Sequence, residues 1–400
     1  MNDRIETILD YSAPATGAPT APLAPPVAPL DHPRHLAYID AARGWAFLGV
    51  LTFHAFGRAP VKNYFLQSFA ASGNYGVQLF FIASALTLFM SFESRRTKDD
   101  RPITYFFIRR FFRIAPLFNF GIIFYLFAWG TGPRDFAPTG IHPHQVVLTA
   151  LFLHGWWPDA INSVVPGGWS IAVEMNFYLL LPLLFLFLTT LRRAIIAFLI
   201  SVPVTIGVSL AFAKVARASI DPQLISGFTY YWLPRQLSVF ILGIIVFHLS
   251  RRTLTPRFAK LVAILGLFGL IAVSLLGDHL PDTYLAHSIC FAVILVALRS
   301  APLRLLVNPA TRLLGLLSFS AYICHFFALD VAVATLRKLT FPLADHPFIM
   351  LAVLWLLGLV LTCAFSFMTY RLIEIPGQNL GRAIIARLSK SASLDTRGRV

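Results

Sequence analysis

Arg43 and His54 stand out because both are basic and both lie in the first apolar stretch of the chain, residues 40–54. On a helix, eleven residues at about 100° each make roughly three turns, so the two side chains share a face, about 16 Å apart along the axis. Ionisable side chains in membrane spans are costly and usually mark a site. A neutral imidazole is the usual general base near pH 7. His54 is therefore a candidate base, with a structural contact to a neighbouring helix as the alternative.

A denser basic cluster follows at residues 105–116, where Arg109, Arg110 and Arg113 are spaced to form one cationic patch on a helix. Guanidinium groups bind phosphates well, because they can donate two hydrogen bonds at once. The cluster predicts a phosphate-binding site. The alternative is the ordinary enrichment of arginine in a cytoplasmic loop.

Glu174 lies near the start of a very apolar segment and four residues before Tyr178, so both side chains share a helix face. It is a candidate catalytic carboxylate. A carboxylate that only favours the helix dipole would occupy the same position, and this alternative stays open.

Tyr322 and His325 are three residues apart in the ninth apolar segment. A lone intramembrane histidine is often a contact between helices, and this interpretation is favoured for His325. Asp330, five residues farther on, does not share the face of His325. Glu374 and Arg371, at the end of the last segment, are interpreted as an interfacial ion pair.

The remaining histidines and cysteines show no metal-binding pattern. His142, His144 and His154 flank the longest outer loop with a spacing unlike that of zinc ligands. The three cysteines occur in three different apolar segments. We expect neither a metal site nor a disulfide framework.

The elements that position these residues are predicted to be membrane spans. Hydrophobic residues form 57% of the 400 residues and charged residues 13%, with a mean hydropathy of +0.71, whereas soluble domains are about 25% charged. The apolar runs are continuous and often near 20 residues, which is typical of helices and not of barrel strands. We therefore predict an all-α, polytopic transmembrane helical bundle with about ten spans. These are residues 40–57, 74–92, 114–130, 170–190, 194–213, 233–249, 260–277, 282–299, 313–336 and 347–370, with a short re-entrant or interfacial run at 146–154.

The distribution of basic residues sets the expected orientation. With the N-terminus inside, about three quarters of the 33 Lys and Arg residues fall on the cytoplasmic side, as the positive-inside rule requires. Both termini are therefore predicted to be cytoplasmic. The net charge of +15 is explained by topology and anionic lipids, without nucleic acid.

Three regions are predicted along the chain. Residues 1–36 form an Ala- and Pro-rich, disordered cytoplasmic tail with no signal peptide. Residues 37–376 form the transmembrane domain, and residues 377–400 form a basic cytoplasmic tail that is also expected to be disordered.

Six motifs in order resemble the acyltransferase 3 family of bacterial integral-membrane O-acyltransferases, over about residues 38–376. They are residues 38–54, 76–84, 110–116, 169–178, 320–325 and 374–376. The chain departs from the family pattern at Gln78, at Ser84-Ala85 and at Met175. Arg43, His54, the two loop arginines and Glu174 are intact.

The resemblance implies that residues 37–376 are a transmembrane acyltransferase domain, which transfers an acyl group, usually acetyl, from cytoplasmic acyl-CoA to a hydroxyl. Acceptors in the family include sugars of lipopolysaccharide (O-antigen), exopolysaccharide or peptidoglycan, and a lipid-linked glycan is plausible. We expect a multi-pass protein of the bacterial inner membrane that acts at its outer side. Acyl-CoA is a donor substrate, and no bound cofactor is expected.

The resemblance implies that Arg43, His54, Arg110, Arg113 and Glu174 are functionally important, and the following roles are a hypothesis built on it. Arg43, His54 and Glu174 are expected to be catalytic, with His54 as the base that takes the proton of the acceptor hydroxyl. Arg110 and Arg113, with Arg43, are expected to bind the phosphates of the donor. Tyr178, Tyr322 and His325 are assigned to substrate binding, and Glu174 or Tyr178 could orient the imidazole or the acceptor.

Alternatives remain open at this point. An acyl-enzyme formed on His54 would leave a trappable intermediate. Intramembrane ions also fit a transporter or flippase for a glycan or small metabolite. A non-catalytic subunit of an exopolysaccharide assembly is the third class. The acceptor, the acyl chain length and the oligomeric state are not encoded in any motif.

Overall fold

A computed structural model describes residues 36–277, 283–338 and 346–397. The predicted N-terminal tail, apart from residue 36, lies outside the described residues. The described part is helical and contains no β-strand, which confirms the all-α bundle. Fifteen α-helices occur in it: α1 (Ala37–Arg58), α2 (Tyr64–Ser72), α3 (Gly76–Arg95), α4 (Pro102–Trp129), α5 (Pro143–Ala150), α6 (Gly168–Phe187), α7 (Leu191–Ala216), α8 (Pro222–Tyr231), α9 (Leu233–Leu249), α10 (Pro256–Leu276), α11 (Thr283–Ser300), α12 (Pro309–Leu316), α13 (Ser318–Lys338), α14 (Pro347–Thr369) and α15 (Ile375–Arg397).

Nine helical segments of the described chain are long and apolar enough to cross a membrane. They contain α3, α4, α6, α7, α9, α10, α11, α13 and α14, which match nine of the ten predicted spans. The tenth, α1, is 22 residues long and matches the predicted first span in position. It is less apolar than the others because it carries Asp40, Arg43, His54 and Arg58.

Proline fixes where many helices begin. It occupies the first turn of α4, α5, α8, α9, α10, α12 and α14, where its missing N–H would have no partner in the helix. The short run predicted at 146–154 forms α5 and a 3₁₀ turn, His154–Trp156. The whole segment between α4 and α6 is stabilised by Arg134, whose Nη1 donates to the carbonyl oxygens of Ser163 and Val164 at 3.1 and 3.2 Å.

Helix α1 is central, since it packs against α3, α12, α13 and α14. Small residues allow this close approach. A Cβ added at Gly315 of α12 would lie 1.8 Å from the carbonyl oxygen of Asp40, and one added at Gly44 would lie 2.1 Å from that of Thr311. Helices α3 and α9 are largely buried, whereas α7, α10 and α14 are mostly exposed, as expected of helices that face lipid.

The C-terminal segment differs from the sequence expectation. Residues 377–397, predicted as part of a basic tail, continue as α15, which packs against α4. A Cβ at Gly381 would lie 2.8 Å from that of Phe112, so the two helices are in close contact. Apolar residues at Leu380, Ile384 and Leu388 recur at helical spacing, and this periodicity is the signal that composition alone missed.

Candidate active site

The polar residues of α1, α3, α4, α6 and α13 converge on one cavity of about 70 Å³ inside the bundle. A cavity of this size holds roughly five water molecules. Six of the residues singled out by the sequence line it: Arg43, Arg110, Arg113, Glu174, Tyr178 and Tyr322. We call it the arginine cavity.

Three guanidinium groups give this cavity its character. The Nη2 of Arg43 donates to Oγ1 of Thr87 at 3.1 Å. Arg110 lies with its guanidinium carbon 5.9 Å from the ring centre of Phe106, and its buried Nε has no hydrogen-bond partner among the described residues. Arg43, Arg110 and Arg113 interact electrostatically with one another. Like charges repel at short range, so their convergence requires negative charge close by.

Glu174 supplies part of the opposing charge. It accepts hydrogen bonds from Oγ of Ser84 and from the hydroxyl of Tyr178, the latter at 2.8 Å. Its carboxylate interacts electrostatically with Arg43 and Arg110. Glu174 lies beyond the first turn of α6, which holds no acidic residue, and dipole effects fade within that turn. The helix-dipole interpretation of Glu174 is therefore not supported.

Glu374 is a buried carboxylate close to the arginines of this cavity, and its interpretation as an interfacial partner of Arg371 was wrong. Only 2% of it is exposed, and it accepts from Oγ of Ser320 at 2.9 Å and from Nε2 of Gln378 at 3.2 Å. It interacts electrostatically with Arg113 and Arg43. Arg371 instead stacks on Phe367, with 5.1 Å between its guanidinium carbon and the ring centre.

A wide π-helical turn, Tyr370–Glu374, explains this difference. In a regular α-helix, residues three apart share a face, but a π turn carries an extra residue and rotates the later side chain away. Glu374 thereby faces the bundle interior.

The basic cluster of α4 also divides. Arg110 and Arg113 line the arginine cavity, whereas Arg109 points elsewhere and pairs with Asp99 at 2.6 Å. The three arginines therefore do not form the single patch that was expected. Arg109 and Arg110 are adjacent in the chain and so point about 100° apart on α4, which directs only Arg110 of the two toward the cavity.

His54 lies in a different environment, the histidine pair. Its ring centre is 5.2 Å from that of His325 and 4.4 Å from that of Phe326. Phe47 and Tyr322 flank His325 at 6.3 and 5.6 Å. Aromatic rings therefore enclose the two imidazoles, in contrast to the charged arginine cavity.

Tyr322 connects the two places. It lines the arginine cavity, and its ring neighbours His325. Its hydroxyl donates to the carbonyl oxygen of Gly167 at 3.1 Å and accepts from Oγ of Ser170 at 3.0 Å. Gly167 has a φ of +73°, and a Cβ there would lie 2.9 Å from the tyrosine hydroxyl, so glycine is required on both counts.

The histidines between α4 and α6 belong to neither place. His144 pairs with Asp159 at 3.0 Å, and a ring nitrogen of His142 lies 3.1 Å from Oγ1 of Thr139. His154 is buried, and its Nε2 donates to the carbonyl oxygen of Gly168 at 3.1 Å. Burial lowers the pKa of His154 to about 4, so it is neutral at physiological pH.

Sequence reasoning located most of the cavity but missed Ser84, Thr87, Ser320 and Glu374 as its polar partners. Ser84 was noted only as a departure from a family pattern, yet it bonds Glu174. Glu174 accepts hydrogen bonds from Ser84 and Tyr178. The ring of His54 instead contacts the rings of Phe53, His325 and Phe326. The catalytic and binding roles of all these residues stay predictions.

Comparison with known proteins gives two matches. A family model described as an acyltransferase domain matches residues 36–371. The O-acetyltransferase OatA of Staphylococcus aureus (strain MRSA252) is 23% identical over 399 residues, covering 90% of this chain. The chain spans 60% of the length of that relative. No solved structure matches the chain.

Proposed function

Because the chain belongs to the acyltransferase 3 family, we propose that it transfers an acetyl group from cytoplasmic acetyl-CoA to a hydroxyl of a surface glycan. The acceptor is presented at the outer side of the bacterial inner membrane, free or linked to lipid. The observation that carries the proposal is the convergence of Arg43, Arg110 and Arg113 on one cavity with Glu174.

The arginine cavity suits the anionic part of an acyl-CoA. Phosphates accept paired hydrogen bonds from guanidinium groups, and Nε of Arg110, which has no hydrogen-bond partner in the described part of the chain, is available to donate one. Three arginines beside Glu174 and Glu374 leave an excess of positive charge for the donor phosphates. The cavity of about 70 Å³ is smaller than the roughly 300–1,000 Å³ of ligand sites, so binding of the donor requires this cavity to widen.

The thioester then reaches the histidine pair along α1. Arg43 and His54 are about 16 Å apart on this helix, and Tyr322 lies between the cavity and His325. The neutral imidazole of His54 takes the proton of the acceptor hydroxyl while its oxygen attacks the thioester carbonyl carbon. The carbon–sulfur bond breaks, an ester forms, and CoA leaves as the thiol after it receives the proton that His54 took from the acceptor, which restores the neutral imidazole.

Two measurements test this function. The purified protein, reconstituted in lipid with acetyl-CoA, is expected to release CoA faster when surface glycans are added. Mass spectrometry of glycans from cells with and without the gene is expected to show the loss of an acetyl group. CoA release that no glycan accelerates, with unchanged glycans, would contradict the proposal and favour a transporter.

A further inference from the structure

His325 has a defined hydrogen-bonding state. Its Nδ1 lies 2.7 Å from the carbonyl oxygen of Tyr322, and a carbonyl can only accept. The Nδ1 therefore carries the proton, and Nε2 of the neutral ring carries a lone pair.

That lone pair has no partner among the residues that the structure describes. Nε2 of His325 is fully buried and makes no hydrogen bond there. Buried polar atoms are nearly always paired, and each exception needs an explanation. One explanation is a hydrogen-bond donor that reaches Nε2 of His325 during the reaction.

His54 is the polar ring beside it. The two ring centres are 5.2 Å apart with planes inclined by 41°. This separation leaves about 3 Å between ring nitrogens that point at each other, which is hydrogen-bond distance. A small rotation of the partly exposed His54 ring would direct one of its N–H groups at Nε2 of His325.

An ion pair fixes the two helices at this level. Arg58 donates through Nε and Nη2 to one carboxylate oxygen of Asp330, at 3.0 and 2.7 Å. The same guanidinium donates to the carbonyl oxygens of His54 and Phe326 at 3.2 and 3.4 Å. Arg58 thus holds the backbone next to both imidazoles, and Phe326 packs on both rings.

We infer that His325 is the positioning residue of His54. Its Nε2 accepts a hydrogen bond from one ring nitrogen of His54, which leaves the other nitrogen of His54 unprotonated and directed at the acceptor hydroxyl. When His54 takes the proton, the same hydrogen bond stabilises the imidazolium. The inference rests on the proposed function and replaces the expected substrate-binding role of His325.

Paired substitutions separate this role from a packing role. His325→Leu fills much of the volume without an acceptor, whereas His325→Gln restores an acceptor oxygen. We expect the Leu variant to lower kcat about 10- to 100-fold, as outer partners of reactive histidines do, with the KM for acetyl-CoA unchanged. The Gln variant should recover most of the rate. A normal kcat in the Leu variant, or a change confined to KM, would overturn the inference.

A double variant tests whether His325 acts through His54. If it does, His54→Ala with His325→Leu is no slower than His54→Ala alone, because residues of one unit are not additive. A further loss in the double variant would show an independent role and contradict the inference.

Chemical labelling keeps the inference testable without turnover. Diethyl pyrocarbonate acylates an unprotonated imidazole nitrogen, and mass spectrometry gives the rate at each histidine. His54 should react more slowly in the Leu variant than in the wild type or the Gln variant, with exposed His142 as the internal reference. An unchanged rate at His54 would refute the contact between the two histidines. Failure of the proposed function would appear separately, as absent acetyl transfer by the wild type.

Discussion

The arginine cavity and the histidine pair are neighbours with opposite chemistry. The first joins three guanidinium groups to Glu174, Ser84 and Thr87. The second encloses two imidazoles among aromatic rings, with one buried nitrogen lacking a partner in the described chain. The excess of guanidinium groups in the first suits binding of an anion, whereas two imidazoles in contact with aromatic rings suit proton transfer by a neutral base. Under the proposed function, we therefore expect donor binding and proton transfer to take place at different positions along α1.

The sharpest way to break this comparison is to remove the imidazole of His54. His54→Ala should lower kcat about 10²- to 10⁴-fold, the usual contribution of a general base, while the KM for acetyl-CoA stays near its wild-type value. Steady-state CoA release in reconstituted protein measures both. His142→Ala, at the N-cap of α5 and outside both places, is the matched control and should keep full activity. Wild-type kcat in His54→Ala would remove the histidine pair from the mechanism.

A substitution in the arginine cavity tests the other half of the comparison, the binding of the donor. Arg113→Ala should raise the KM or Kd for acetyl-CoA about 10- to 100-fold, the equivalent of one charged hydrogen bond, with a smaller effect on kcat. Arg109→Ala is the control, because Arg109 belongs to the same basic cluster but pairs with Asp99 outside the cavity. Equal effects of the two substitutions would show that the cluster acts only through its general charge.

The ion pair between Arg58 and Asp330 sharpens the comparison further. Asp330→Arg should lower kcat several-fold, because the helices that carry His54 and His325 lose their shared anchor. The effect is modest, since the side chain of Asp330 is 40% exposed and such pairs contribute up to about 1 kcal/mol. Adding Arg58→Asp should restore part of the rate. If the double charge reversal is as slow as the single one, the pair does not position the histidines.

His154 provides a reference histidine outside both places, with the smallest expected effect on activity. Its pKa is about 4 in the folded protein and about 6.5 when unfolded, so the unfolded state binds more protons between these values. The stability that neutral His154 contributes is complete above pH 6.5 and is lost as the pH falls toward 4. Thermal unfolding between pH 7 and 4.5 should therefore depend less on pH in His154→Gln. An identical pH dependence would contradict this assignment.

Local patterns predicted the spans and much of the arginine cavity. Apolar runs near 20 residues report helices directly, and helical spacing correctly placed Glu174 beside Tyr178. Arg109 donates a hydrogen bond to Asp99, which lies ten residues earlier in a loop, so the direction of its side chain could not be predicted from spacing along α4. The turn that buries Glu374 is a π turn, and a hydropathy pattern does not encode it. The contact of His54 with His325 joins helices far apart in the chain, so no spacing rule could supply it.

The glycine contacts of α1 bear on how a substrate could enter. A Cβ at Gly315 would lie 1.8 Å from the carbonyl oxygen of Asp40, and one at Gly73 would lie 2.2 Å from that of Gly49. Backbones this close cannot slide past each other, so α1 keeps a fixed position relative to the helices that it contacts. We therefore expect any widening of the arginine cavity to come from displacement of its other walls, while Arg43 and His54 keep their spacing on α1.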